Sequence, residues 1–154
     1  MTKNLDLNVR TPCIGVCSTI LGDRVCRGCK RYVHEVIDWN GYQQAEKRYV
    51  EARLNQLLCQ VIQAKLIVTD VAKLKAGLEK YAIRYLEYRD PHCWLVDLLK
   101  AGASQIIDTE EFGFVRLAEY HATPLETLRS MIDQEYLIIS EAHYDRYFER
   151  LPQS

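Results

Sequence analysis

Four of the six cysteines fall within seventeen residues, as Cys13-Ile-Gly-Val-Cys17, eight further residues, and Cys26-Arg-Gly-Cys29. Two close pairs on a short loop can bring four thiolates to one point. That donor set is the one tetrahedral zinc takes and an iron–sulfur cluster also accepts. Gly28 lets the chain turn tightly inside the second pair so that amides point toward sulfur, and Pro12 and Gly15 shape the first turn. The two-and-two grouping favours zinc, because many cubane clusters use three closely spaced cysteines and a more remote fourth. An iron–sulfur cluster stays open as the alternative. A segment of under about 40 residues buries too little apolar surface to fold alone, so a metal here has structural work to do. Cys59 and Cys93 stand apart and are read as core residues.

The run TPCIGVC followed by CRGCKRYVHEVIDW resembles a bacterial family of unknown function usually described as predicted iron–sulfur proteins, over residues 11 to about 48. Pro12, Gly28, Arg31, Glu35 and Trp39 match the family's pattern, whereas Lys30, Tyr32 and His34 depart from it. The resemblance implies a metal site at Cys13, Cys17, Cys26 and Cys29 and no defined activity. The other two-thirds of the chain resembles nothing in particular.

The elements that must position this loop are mostly helical. VHEVIDW is expected to form a short helix whose Val33, Val36, Ile37 and Trp39 cover the metal loop. From 42 to about 65, Val50, Leu54, Leu57, Leu58 and Val61 repeat at spacings of three and four, an amphipathic helix. Thr69-Asp70 caps a second helix, with Val71, Leu74, Leu78, Tyr81 and Tyr85 in register up to Asp90-Pro91, and that pair opens a third running to Gly102. Asp108-Thr-Glu-Glu111 reads as a capping box, while Ile106-Ile107 and Phe112-Gly-Phe114 could instead pair as strands. Thr123-Pro-Leu-Glu126 opens a helix toward Gln134, and Ser140 caps a last one to Arg150. The fold class expected is mainly α. A small four-cysteine metal knuckle, residues 1–40, packs on a helical bundle, residues 41–154, with one short β-hairpin left open near 105–117.

With 154 residues, 48% hydrophobic and 27% charged, the chain lies in the ordinary globular range. Its net charge of -1 provides no overall basic excess for nucleic acid or anionic lipid. No apolar run approaches the roughly 18 residues of a membrane span, and MTKNLDLNVRT lacks a secretory core of about 7–15 apolar residues. A cytoplasmic setting is therefore expected, where clustered cysteines serve as metal ligands more often than as disulfides.

Charge is uneven: residues 1 to 90 carry +5 and residues 91 to 154 carry -6. Around the cysteines, Arg10, Arg24, Arg27, Lys30 and Arg31 meet Asp23, a local +4. Four thiolates on zinc leave about -2, so these cations either offset the site or bind phosphate. Arg24, Arg27, Lys30 and Arg31, with Tyr81, Arg84 and Tyr85 at helical spacing, form the candidate RNA-binding set. Residues 116 to 132 resemble a helix-turn-helix, but the turn has no Gly and the half is acidic, which disfavours DNA. None of His34, His92, His121 and His143 sits in an HExxH spacing, and nucleophile-elbow and phosphate-loop signatures are absent, so no catalytic residue is assigned. His34 is read as a solvent-facing helix residue. The function expected is a metal-binding adaptor that presents basic and aromatic surface to a protein or RNA partner, RNA being preferred. The alternatives are an iron–sulfur redox or sensor protein, and a purely protein-binding regulator.

Overall fold

The computed structural model describes residues 11–13 and 17–149. They fall in two compact units, one drawn from Met1–Leu54 and Leu137–Ser154, the other spanning Asn55–Tyr136. The expected boundary at residue 40 falls inside the first of these. No helix among the described residues is long and apolar enough to cross a membrane.

In the first unit a 3-10 turn at Ser18–Leu21 closes on Gly22, whose φ of 98° is left-handed and suits glycine. Helix α1 (Val33–Asp38) follows. Its start is pinned by Glu35, whose Oε1 accepts the Tyr32 N–H at 2.9 Å while both carboxylate oxygens take Arg53, at 2.6 and 2.7 Å. The Arg53 guanidinium also lies 3.9 Å from the Tyr32 ring centroid, and Tyr32 meets Tyr144 and Phe148 edge-on. A bidentate fork beside an aromatic face is an arrangement that arginine makes and lysine cannot.

Helix α2 (Gln44–Gln63) takes its direction from the predicted stripe. Val50 and Leu54 are buried in the first unit, and Leu57, Val61 and Ile62 in the second.

The second unit holds a two-stranded antiparallel sheet, β1 (Leu66–Val68) with β2 (Phe114–Arg116), in the register Leu66↔Arg116, Ile67↔Val115 and Val68↔Phe114. The strand partner therefore comes from 66–68 and not from Ile106-Ile107, which replaces the local hairpin expected near 105–117. Ile107 is fully exposed, so burial provides no driving force for pairing there. Gly113 makes the long-range pairing possible. Its carbonyl accepts the Thr69 and Asp70 N–H groups at 2.7 and 3.0 Å, and a Cβ on it would lie 2.1 Å from the Asp70 carbonyl oxygen.

Helix α3 (Val71–Lys80) is capped by Asp70, which accepts the Lys73 N–H at 3.1 Å. It stops ten residues short of the expected Asp90, because Ala82 adopts a left-handed φ of 53° and Ile83 N–H returns to the Leu78 carbonyl. Tyr81 and Tyr85 therefore do not share a helical stripe. Helix α4 (Pro91–Gly102) follows the predicted cap-then-proline start and buries Cys93, Trp94, Leu95, Leu98 and Leu99. The segment from 108 forms 3-10 turns at Thr109–Phe112 and Ala118–Tyr120 on either side of β2, not a helix.

Helix α5 runs unbroken from Leu125 to Tyr144 and passes into a π-helical turn at Asp145–Glu149. The expected break near Gln134 does not occur, since 135–139 contains no glycine or proline, and Ser140 is a buried mid-helix residue instead of a cap. The predicted end at Arg150 lies outside the described residues.

Candidate functional site

The cysteine segment is built on a small antiparallel turn. Val33 N–H donates to the Arg24 carbonyl at 2.8 Å, Val25 bridges Tyr32, and Cys26 N–H donates to the Arg31 carbonyl at 2.9 Å. Inside that frame Lys30 takes a left-handed φ of 66° and its N–H closes on the Cys26 carbonyl at 2.8 Å. The Cys26-Arg-Gly-Cys29 corner is thus tight enough for amides to face sulfur. Burial would raise the Cys26 thiol, but the backbone N–H groups of Cys29, Ser18 and Gly28, with the Cys29 thiol, outweigh it and hold the pKa down to about 7. Burial pushes Cys29 upward, opposed by Arg31, whose Nε donates to the sulfur at 3.3 Å. N–H groups aimed at sulfur are the usual support of a metal thiolate.

Ser18, next to Cys17 in the chain, directs its N–H to Cys26 and accepts the Arg27 N–H on Oγ at 2.8 Å. Cys17 Sγ lies 2.8 Å from Thr19 Oγ1, and the exposed Cys13 donates its N–H to Thr11 Oγ1 at 3.3 Å. Gly15, read from the sequence as a turn residue, is outside the described residues. The structure brings Cys26 and Cys29 together. It does not gather three or more of the four N-terminal sulfurs within 4.8 Å of one another; among the described residues, Cys59, Asp90 and His92 form such a group. The Cys26–Cys29 corner fits one half of a tetrathiolate site in donor type, burial and amide support.

The charges around this corner divide sharply. Lys30 is 1% exposed, with Nζ donating to the Arg27 and Gly28 carbonyls, and the buried Arg31 lies 4.8 Å from the Trp39 ring centroid. Neither forms part of an outer basic surface, which corrects their place in the candidate RNA-binding set. Arg24 and Arg27 are exposed, and Arg27 pairs with Asp23 at 3.2 Å. Both arginines line a depression shared with Asp23, Glu141 and Asp145, so its charge is mixed. In the second unit Tyr81 packs beside Phe112, Tyr85 packs against Trp94 with its hydroxyl 3.5 Å from Glu79, and Arg84 is exposed.

Of the expected lid over the loop, Trp39 is buried, Val33 and Val36 are half-buried, and Ile37 faces solvent. His34 is half-buried between Tyr32 and Phe148, not directed to solvent. Sequence reasoning missed the Glu35–Arg53 pair and the Cys59–Asp90–His92 group. For the pair, a Glu three residues past an extended Tyr32 hinted at a capping box. For the group, no local signal joins Cys59 to Asp90.

Together these features define a mainly helical protein with a cysteine turn close to its N-terminal end. Residues 11–58 match the model of a family described as proteins of unknown function, DUF1289. No curated protein and no solved structure matches the chain.

Proposed function

We propose that the protein is a small metal-binding adaptor in which Cys26 and Cys29 hold one side of a four-thiolate site and Cys13 and Cys17 the other. The metal, zinc on the paired ligand grouping, would cross-link the N-terminal segment. A single observation carries this reading: Arg31, whose Nε reaches the Cys29 sulfur, is buried in the turn, while the loop between the cysteine pairs exposes Ile20 and Leu21, at 83% and 87%. Arg31 serves the sulfur site, offsetting part of a thiolate charge of about -2. The outer loop is left to meet a partner through adjacent apolar side chains beside Arg24 and Arg27.

A protein partner fits this surface better than RNA, because Asp23, Glu141 and Asp145 accompany the arginines and would repel phosphate. The protein acts by recognition and not by turnover.

Elemental analysis and a visible spectrum of untagged protein purified without oxygen test the site. At least one zinc per chain and no colour is the result expected, while stoichiometric iron and sulfide would move the reading to the redox alternative. Capture of partners by the chain and by its Ile20→Ser/Leu21→Ser variant tests the surface. A nuclease-resistant complex lost in the variant supports the proposal, and a complex abolished by nuclease returns RNA to first place.

A further inference from the structure

Outside the family match, the second unit gathers a cysteine, a histidine and a carboxylate from two elements. Cys59 stands on the last turns of α2, Asp90 is the N-cap of α4, and His92 lies in its first turn. One ligand atom from each falls within 4.8 Å of the other two. We propose that Cys59, Asp90 and His92 form a second metal site that takes a zinc-like divalent transition ion, separate from the four-cysteine segment.

Four observations support it. Bond lengths of about 2.0–2.3 Å place tetrahedral donors roughly 3.5 Å apart, so the three groups need only a small inward adjustment. Two of them are already oriented: Asp90 Oδ1 accepts the His92 N–H at 2.8 Å and lies 2.8 Å from His92 Nδ1. Pro91 sets the backbone between them at the first helical position. The group is also reachable, since Cys59 and His92 are half-buried, Asp90 is exposed, and Cys59 and Asp90 line an open recess with Asn55, Gln56, Gln60 and Gln63. Those amides leave room and polarity for a fourth ligand, water or a side-chain oxygen. Sulfur, imidazole and one carboxylate together select zinc-like ions over magnesium or calcium, which require mostly oxygen.

The role such a site would take is structural. Joining α2 to the start of α4 would fix the end of the long 69–90 excursion that carries α3, once the fourth ligand closes the coordination shell.

Equilibrium dialysis of the untagged full chain against Zn²⁺, and separately against Co²⁺ as a spectroscopic probe, tests this. The wild type should bind one equivalent more than either Cys59→Ser or His92→Gln. Any residual affinity in the variants should fall by at least the about 10–100-fold that follows loss of an outer-shell partner. The neighbouring Cys93→Ser variant should retain the full count. Reading the difference between chains separates this site from the N-terminal one: failure of the four-cysteine reading lowers every count by one and leaves the difference intact. Circular dichroism establishes that each variant is folded, and having two ligand variants guards against the loss of one. Equal stoichiometry and equal cobalt spectra in wild type, Cys59→Ser and His92→Gln would overturn the proposal.

Discussion

The two thiol environments of this protein pull in opposite directions. At the N-terminal turn, backbone amides converge on Cys26 and hold its thiol down to about 7. In the second unit, burial and the neighbouring Asp90 push Cys59 up to about 11. A thiol held near 7 is already partly ionised at neutral pH, so it has less proton to give up to a metal. A thiol beside a carboxylate must give up its proton to an incoming ion, which would make Cys59 the weaker ligand of the proposed second site. On the proposed metal sites, the same residue type would offer a firmer cross-link in one region and a conditional one in the other.

The units differ in how they bury charge as well. The first buries Arg31 against the Trp39 ring and Glu35 against Arg53, while the second relies on apolar side chains such as Leu74, Leu78, Leu95 and Phe114 and buries Lys65 against Tyr120 and Glu135.

The largest effect should come from the sulfur turn. Cys26→Ser should lose the metal and unfold the N-terminal segment, since structural zinc contributes an apparent ~10–16 kcal/mol in small domains, while Cys59→Ser keeps that ion. Full metal content in purified Cys26→Ser would break the contrast drawn above. Next, Arg53→Met removes the fork from buried Glu35 and should cost about 3–5 kcal/mol by urea denaturation. A loss below 1 kcal/mol would show that the carboxylate finds other donors.

Gly113→Ala should cost about 2–4 kcal/mol, combining a left-handed backbone with a clash against Asp70. Its signature is loss of amide-exchange protection at Thr69 and Asp70, and a normally protected variant would remove Gly113 from the account of the sheet.

Glu135→Gln should cost about 1–2 kcal/mol, because Lys65 Nζ keeps Tyr120 at 3.0 Å and Glu135 is partly exposed. Burial draws Lys65 downward, but its hydrogen bonds to Glu135 and Tyr120 prevail and raise it. A raised lysine contributes stability that is complete below its unfolded value, about 10.4, and fades as pH climbs through the folded one. The cost of the substitution should hence be level from pH 7 to about 10 and shrink above. A cost that grows in alkali would contradict this sign.

The smallest effect belongs to Asp97, which burial raises against Lys100 and Arg89. Its charged form opposes folding, so Asp97→Asn should be slightly more stable than wild type at pH 7. The gain should vanish below the ordinary carboxylate value of about 3.9, where both side chains are neutral. A gain that persists in acid would point to packing.

The sequence by itself determined the local matters: the cysteine spacing, the Asp70 and Asp90-Pro91 helix starts, and the α2 stripe of Val50, Leu54, Leu57 and Val61. Each depends on residues within a few turns of one another, where capping and periodicity act. Tertiary structure alone decided the matters that depend on distant chain. Lys30 turns inward onto the Arg27 and Gly28 carbonyls, and Arg31 because the Cys29 sulfur and Trp39 await it. Phe114 pairs with Val68 and not with its neighbours because Gly113 admits the Asp70 backbone. Cys59 meets Asp90 because two helices bring them together. Charge and strand propensity are written in the residues, but whether a cation faces water and which edge a strand finds are set by what the rest of the chain places beside them.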